Sequence, residues 1–191
     1  MKLAKFTCWV LFLFSFMGLL WGFEERIPVA KPVTGLCGFK PGEQLRESKN
    51  FSKLRQYPEF EYRTNPLPVK FMDFDALHVS TLSDGRIARV SLRKTCESPR
   101  SARSEYNHVR RRLNAYFKVD QAQLESKPLR DDPVCSTTYY AQDFELTLKC
   151  DSDYNHITLR LSSNQLQLQY EQECEQRAHQ KFMEIDAKAL E

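Results

Sequence analysis

The sequence lacks most of the short signatures that mark chemistry. It has no Cys-x-x-Cys, which argues against a thioredoxin-like exchange site, and its cysteine spacings match no zinc module. No His-Glu-x-x-His and no Gly-x-Ser-x-Gly occurs, and the four histidines, His78, His108, His156 and His179, are spread along the chain without ligand spacing. Three glycines surround Cys37 in GLCGFKPGE, but neither their spacing nor their context is that of a phosphate loop. Internal repeats and low-complexity tracts are missing as well. These absences leave catalysis without support, and they imply no metal and no cofactor.

Net charge is also scarce. The chain of 191 residues carries 28 basic and 25 acidic side chains. Residues 1–22 contain Lys2 and Lys5 and no acid, so the remainder holds 26 basic against 25 acidic residues. That near-neutral body argues for no polyanionic partner, although basic groups are locally clustered.

What the first residues do contain is an export layout. Lys2 and Lys5 precede an uncharged run from Phe6 to Phe23, and Glu24 and Glu25 follow it. The expectation is a signal peptide over residues 1–22, cleaved after Gly22. The alternative is an uncleaved inner-membrane anchor over residues 6–23, with the body outside in both cases. Residues 23–35 read as a linker, and residues 36–191 as one domain. The location implied is exported, and periplasmic in a bacterium. An oxidising compartment gives the five cysteines beyond the leader a structural role, two disulfides and a spare thiol being the simplest arrangement.

Alternation then sets registers. LHVSTLSDGRIARVSL, residues 77–92, folds on Asp84-Gly85 and pairs Leu77 with Leu92, Val79 with Val90 and Thr81 with Ala88. CSTTYYAQDFELTLKC, residues 135–150, folds on Gln142-Asp143 and places Cys135 opposite Cys150 on its apolar face, where a cross-strand disulfide is expected. HITLRLSSNQLQLQY, residues 156–170, folds on Ser163-Asn164 with leucines on one face and Arg160, Thr158, Gln167 and Gln169 on the other. Ser98 and Pro99 start a helix over residues 99–117 with Ala102, Tyr106, Val109, Leu113 and Phe117 on one stripe. A second helix is expected over residues 171–189, on the stripe Cys174, Ala178, Phe182, Ile185 and Ala189, and a short helix after Pro41. The fold class expected is α+β: an antiparallel sheet of successive hairpins, with the middle and C-terminal helices packed on one face.

Three local features remain. Asp151, Asp153 and Asn155 begin like a calcium loop, but His156 and Ser162 stand where Gly and Glu are needed, so a turn is expected. Cys37 is expected to pair with Cys96 or with Cys174. Arg110, Arg111 and Arg112 make the middle helix basic and are the expected partner contact, without the aromatics or groove-reading motif that nucleic acid requires.

The succession of Asp84-Gly85, Ile87, Val90 and Leu92, the helix through Leu113, and Leu146, Leu148, Leu159 and Leu161 is similar to small exported bacterial α+β proteins of unassigned role. That resemblance implies an envelope location and no specific activity. The function expected is therefore a non-catalytic envelope protein that binds another protein, as an assembly accessory factor or an inhibitor or immunity-type partner. The alternatives are a module holding a small ligand or lipid between the apolar sheet face and its helices, and, behind it, a hydrolase with a dispersed site.

Overall fold

A computed structural model describes residues 24–46, 52–55, 60–64, 67, 70–119, 134–151, 153 and 155–189. The leader expected over residues 1–22, with Cys8, lies outside them. The strands are β1 Glu24–Pro28, β2 Ser52–Arg55, β3 Phe60–Thr64, β4 Ala76–Thr81 and β5 Ile87–Thr95, then β6 Val134–Ala141, β7 Phe144–Asp151 and β8 His156–Ser163. Helix α1, Pro99–Phe117, lies between β5 and β6, and α2, Asn164–Ala189, follows β8. Among the described residues the strands form one sheet in the order β1-β6-β7-β8-β5-β4-β3-β2. Every pairing is antiparallel except that of β1 with β6. The fold is α+β, as its hairpins and amphipathic middle helix require.

The hairpin registers show how alternation translates into structure. Cys135↔Cys150, Thr137↔Leu148 and Tyr139↔Leu146 face each other, and Gln142-Asp143 closes the hairpin with Gln142 at φ 53. In β4–β5 the pairs Leu77↔Leu92 and Val79↔Val90 also form, but Thr81 meets Ile87, not Ala88. A bulge between Ser80 and Thr81 absorbs the extra residue. Its turn is closed by Leu82 N–H to the Arg86 carbonyl at 2.9 Å, with Gly85 at φ 84, a conformation glycine adopts without strain.

Helix α1 begins where its cap predicts. Ser98 Oγ accepts from Ser101 N at 3.2 Å, Ser101 Oγ accepts from Ser98 N at 3.0 Å, and Pro99 fills the first turn. Its buried residues Ala102, Tyr106, Val109 and Leu113 pack on the apolar sheet face formed by Val79, Val90, Leu92, Leu146, Leu148, Leu159 and Leu161. Each fully buried leucine contributes about 1.5–3 kcal/mol of transfer free energy. Lys94 and Glu105, 3.0 Å apart, tie the helix to β5.

Two expectations fail in instructive ways. The second strand expected in residues 156–170 is helical: β8 stops at Ser163 and α2 starts at Asn164. Leucine and glutamine alternate there, but from Asn164 to Met183 no β-branched residue occurs, and straight-chain residues favour helix. The decisive contact comes from the β6–β7 turn. Asn164 N donates to the Asp143 carbonyl at 2.8 Å, Gln165 N donates to Asp143 Oδ1 at 3.3 Å, and Ser163 Oγ donates to Asp143 Oδ2. Asp143 thus caps α2 across the fold. The helix then packs Tyr170 against Leu82 and Ala88, with Leu166 and Cys174 beside them, while the Arg89 guanidinium lies 4.9 Å above the Tyr170 ring.

The second failure is the linker. Residues 24–28 enter the sheet as β1, and Ile27 is buried in the core. Parallel pairing with a strand more than a hundred residues away leaves no hairpin signal in the sequence. Past Pro41 the described residues hold turns in place of the expected helix, with Gln44 bridged to Arg86.

Candidate functional site

Of the three arginines expected to make a contact face, one is internal. Arg110 Nη2 donates to both Glu25 oxygens, at 2.8 and 2.6 Å, and so fastens β1 to α1. Thr137 Oγ1 donates to Glu25 Oε2 at 3.1 Å, which leaves Tyr106 as the donor in its 2.5 Å contact with Thr137. Tyr139 donates to Asn114 Oδ1 at 2.6 Å nearby. Burial pushes the Tyr106 phenol up to about 12 and the Tyr139 phenol higher still, so both are neutral donors in this network. Arg110 is a positioning residue for the first strand. Arg111 and Arg112 remain exposed, and Arg111 Nε reaches the Asn107 carbonyl of its own helix at 3.3 Å.

The cysteines of the expected pairs fall at different places in the fold. Cys135 and Cys150 are cross-strand partners and both buried. Counting by twos from Ala141↔Phe144, which closes the turn, puts them at a hydrogen-bonded register position. There Cα atoms stand about 5.5 Å apart, within the span a disulfide bridges. No sulfur–sulfur bond joins the described cysteines in this structure. Burial first, then the neighbouring Cys135, push the Cys150 thiol up to about 11, so it is a poor nucleophile. Cys96 adds to the same upward shift of the Cys150 thiol. The charged groups that act on Cys96 are Lys94, Glu105 and Asp75, whereas Cys37 sits in a separate turn at φ 51, its thiol raised by burial alone.

The chemistry of the surface lies on the other side of the sheet. Strand registers join into one row that crosses seven strands: Arg63↔His78↔Ser91↔Arg160↔Thr147↔Thr138↔Arg26. The adjoining row runs Ala76↔Arg93↔Thr158↔Lys149↔Ser136. Because side chains alternate across a strand, these residues share the face opposite the core. Arg26, Arg63, Arg93, Lys149 and Arg160 are exposed, while Thr138 and Ser91 are buried between them. Glu145 and Asp151 stand among these cations. Arg26 pairs with Glu145 and lies 5.4 Å over the Tyr140 ring. The result is a broad, predominantly cationic face of mixed sign, studded with hydroxyl groups.

Concavities among the described residues include a recess and a cleft. A recess of about 160 Å³ in this face is lined by Thr147, Lys149, Asp151, His156, Thr158 and Arg160. A larger cleft of about 510 Å³, lined by Gly38, Phe39, Glu43, Gln44, Arg46 and Ile87, lies beside the β4–β5 turn and mixes polar and apolar groups. Neither lies between the apolar sheet face and α1, where side chains from both elements fill the space. The histidines lie on β4, α1, β8 and α2. Asp151, Asp153 and Asn155 form the β7–β8 turn, with Asn155 at φ 51 and its carbonyl accepting from Cys96 N at 2.7 Å.

Alternation marks the polar side of a single strand, as Thr158 and Arg160 do on β8, but not the face that the strands make together. The signal present was the pairing of Thr138 with Thr147 and of Ser136 with Lys149. No protein-family model, curated protein or solved structure matches the chain.

Proposed function

We propose that this is an exported, non-catalytic envelope protein that binds another protein, and that the cationic sheet face is its contact surface. The observation that carries the reading is the row Arg63–His78–Ser91–Arg160–Thr147–Thr138–Arg26, a polar face on the side of the sheet away from α1. Its excess of cations suits an acidic partner surface and steers encounter. The acids set among them favour a protein with its own pattern of charges over a uniform polyanion, whose repeated phosphates would meet Glu145 and Asp151. A face whose recess holds only about 160 Å³ also suits a protein better than a small molecule, which needs an enclosing pocket of about 300–1,000 Å³ lined mainly by apolar groups.

The test compares two surfaces on one folded chain. A partner captured from the native envelope by the wild-type protein is to be lost with Arg93→Glu/Lys149→Glu and retained with Arg111→Glu/Arg112→Glu. Retention by the sheet-face variant overturns the assignment; loss only in the helix variant moves the contact to α1.

A further inference from the structure

Within the sheet face one recess is built differently from its surroundings, and we infer that it receives a single carboxylate presented by the partner protein. This deepens the protein-binding reading, and rests on it for the identity of the source. The recess, about 160 Å³ between β7 and β8, is lined by Thr147, Lys149, Asp151, His156, Thr158 and Arg160. That is below the roughly 300 Å³ at which ordinary ligand pockets begin, and enough for one small oxyanion with a water of about 30 Å³.

Its lining is rich in donors. Lys149 and Arg160 bring an ammonium and a planar guanidinium, neither able to accept, and Thr147 and Thr158 bring hydroxyls. His156 adds another. Arg93 Nη2 lies 3.2 Å from His156 Nδ1, and arginine only donates, so Nδ1 accepts and the ring proton sits on Nε2. Asp151 is the single acid of the lining, so its balance with Lys149 and Arg160 is one positive charge. A monovalent oxyanion matches that balance, and a carboxylate is the monovalent oxyanion that proteins carry. Charge-assisted bonds from an arginine fork and a lysine are the strongest such contacts available.

The experiment follows backbone amide shifts of the isotopically labelled, folded chain during titration with three probes. These are a blocked Gly-Glu-Gly peptide, its Gly-Gln-Gly counterpart and inorganic phosphate. Expected are saturable shifts at Thr147, Lys149, Thr158 and Arg160 with the Glu peptide, at a dissociation constant on the order of millimolar, and none with the Gln peptide. Lys149→Gln weakens binding about tenfold, the worth of one charge-assisted contact, and Thr158→Val weakens it by less, with the rest of the spectrum unchanged. Equal response to both peptides, or no saturation with the Glu peptide, overturns the carboxylate site. Phosphate bound more tightly than the Glu peptide overturns it too, in favour of a dianion site. Carboxylate binding combined with unchanged partner capture by Arg93→Glu/Lys149→Glu would sink the protein-contact reading and leave the recess as a free carboxylate site. Lost capture without carboxylate binding would sink the recess alone.

Discussion

Replacing Arg110 with alanine isolates the link between the first strand and the helix. The Glu25 side chain is 10% exposed and that of Arg110 23%, so the alanine leaves a carboxylate mostly sheltered from water that has lost its guanidinium and keeps the Thr137 hydroxyl. One-sided removal from a fully buried pair costs about 3–5 kcal/mol. Here part of the guanidinium is hydrated, and a loss of about 2 kcal/mol is expected. With a urea slope near 2 kcal/mol per molar, the unfolding midpoint falls by about 1 M. Glu25→Gln keeps an acceptor for Thr137 and costs about 1 kcal/mol. The double variant Glu25→Gln/Arg110→Ala removes both charges, so it should be more stable than the sum of the single losses by about 1–2 kcal/mol. Hydrogen exchange supplies a second reading. Amides of β1 and the Val29 N–H, which bonds the Tyr140 carbonyl at 3.0 Å, should lose protection before the β7–β8 core does. Arg111→Ala and Arg112→Ala, both at exposed positions, should change stability by less than about 0.5 kcal/mol. A loss below that size for Arg110→Ala, or strict additivity in the double variant, would refute the latch.

Thiol counting on the protein prepared under oxidising conditions should find Cys135 and Cys150 consumed, with their joint replacement by alanine costing on the order of 2–3 kcal/mol relative to the oxidised form; two reactive thiols after unfolding would end that expectation. Asp143→Ala should destabilise by about 1 kcal/mol, the worth of a lost cap, and speed exchange in the first turns of α2 while β8 stays protected; equal loosening of both would place the effect elsewhere. In alkaline solution the raised Tyr106 phenol stabilises the fold fully below its ordinary value of 10, and that contribution disappears as pH rises toward about 12. Unfolding monitored against pH should therefore set in above about 10, and Tyr106→Phe should reduce that dependence. Asp84 is held below its ordinary carboxyl value, first by the Arg86 backbone N–H and then by its side chain, so the turn's contribution is present above 3.8 and fades in more acid solution. Asp84→Asn should remove that acid dependence in a titration of the turn amides.

Legibility in the sequence followed sequence distance. The β6–β7 register came out residue for residue because both strands alternate and a two-residue turn leaves no slack, and α1 because Ser98, Pro99 and its stripe agree on one start and one period. In NQLQLQY two levels disagree: the leucine–glutamine alternation has the strand period, while the residue types favour helix. Asp143, from a turn that is distant in sequence, decided between them by capping Asn164 and Gln165.

Alternation and capping are local, so the sequence by itself determined the hairpin cores, the middle helix, the facing of Cys135 and Cys150 and the α+β class. Only the tertiary structure brought β1 beside β6, turned Arg110 onto Glu25 and placed β8 between β5 and β7. The cationic face depends on that strand order. Arg93, Arg160 and Lys149 come from three strands, β5, β8 and β7, and α1 and β6 lie between the first and the other two in the chain, so no pattern within one segment records that they will be neighbours.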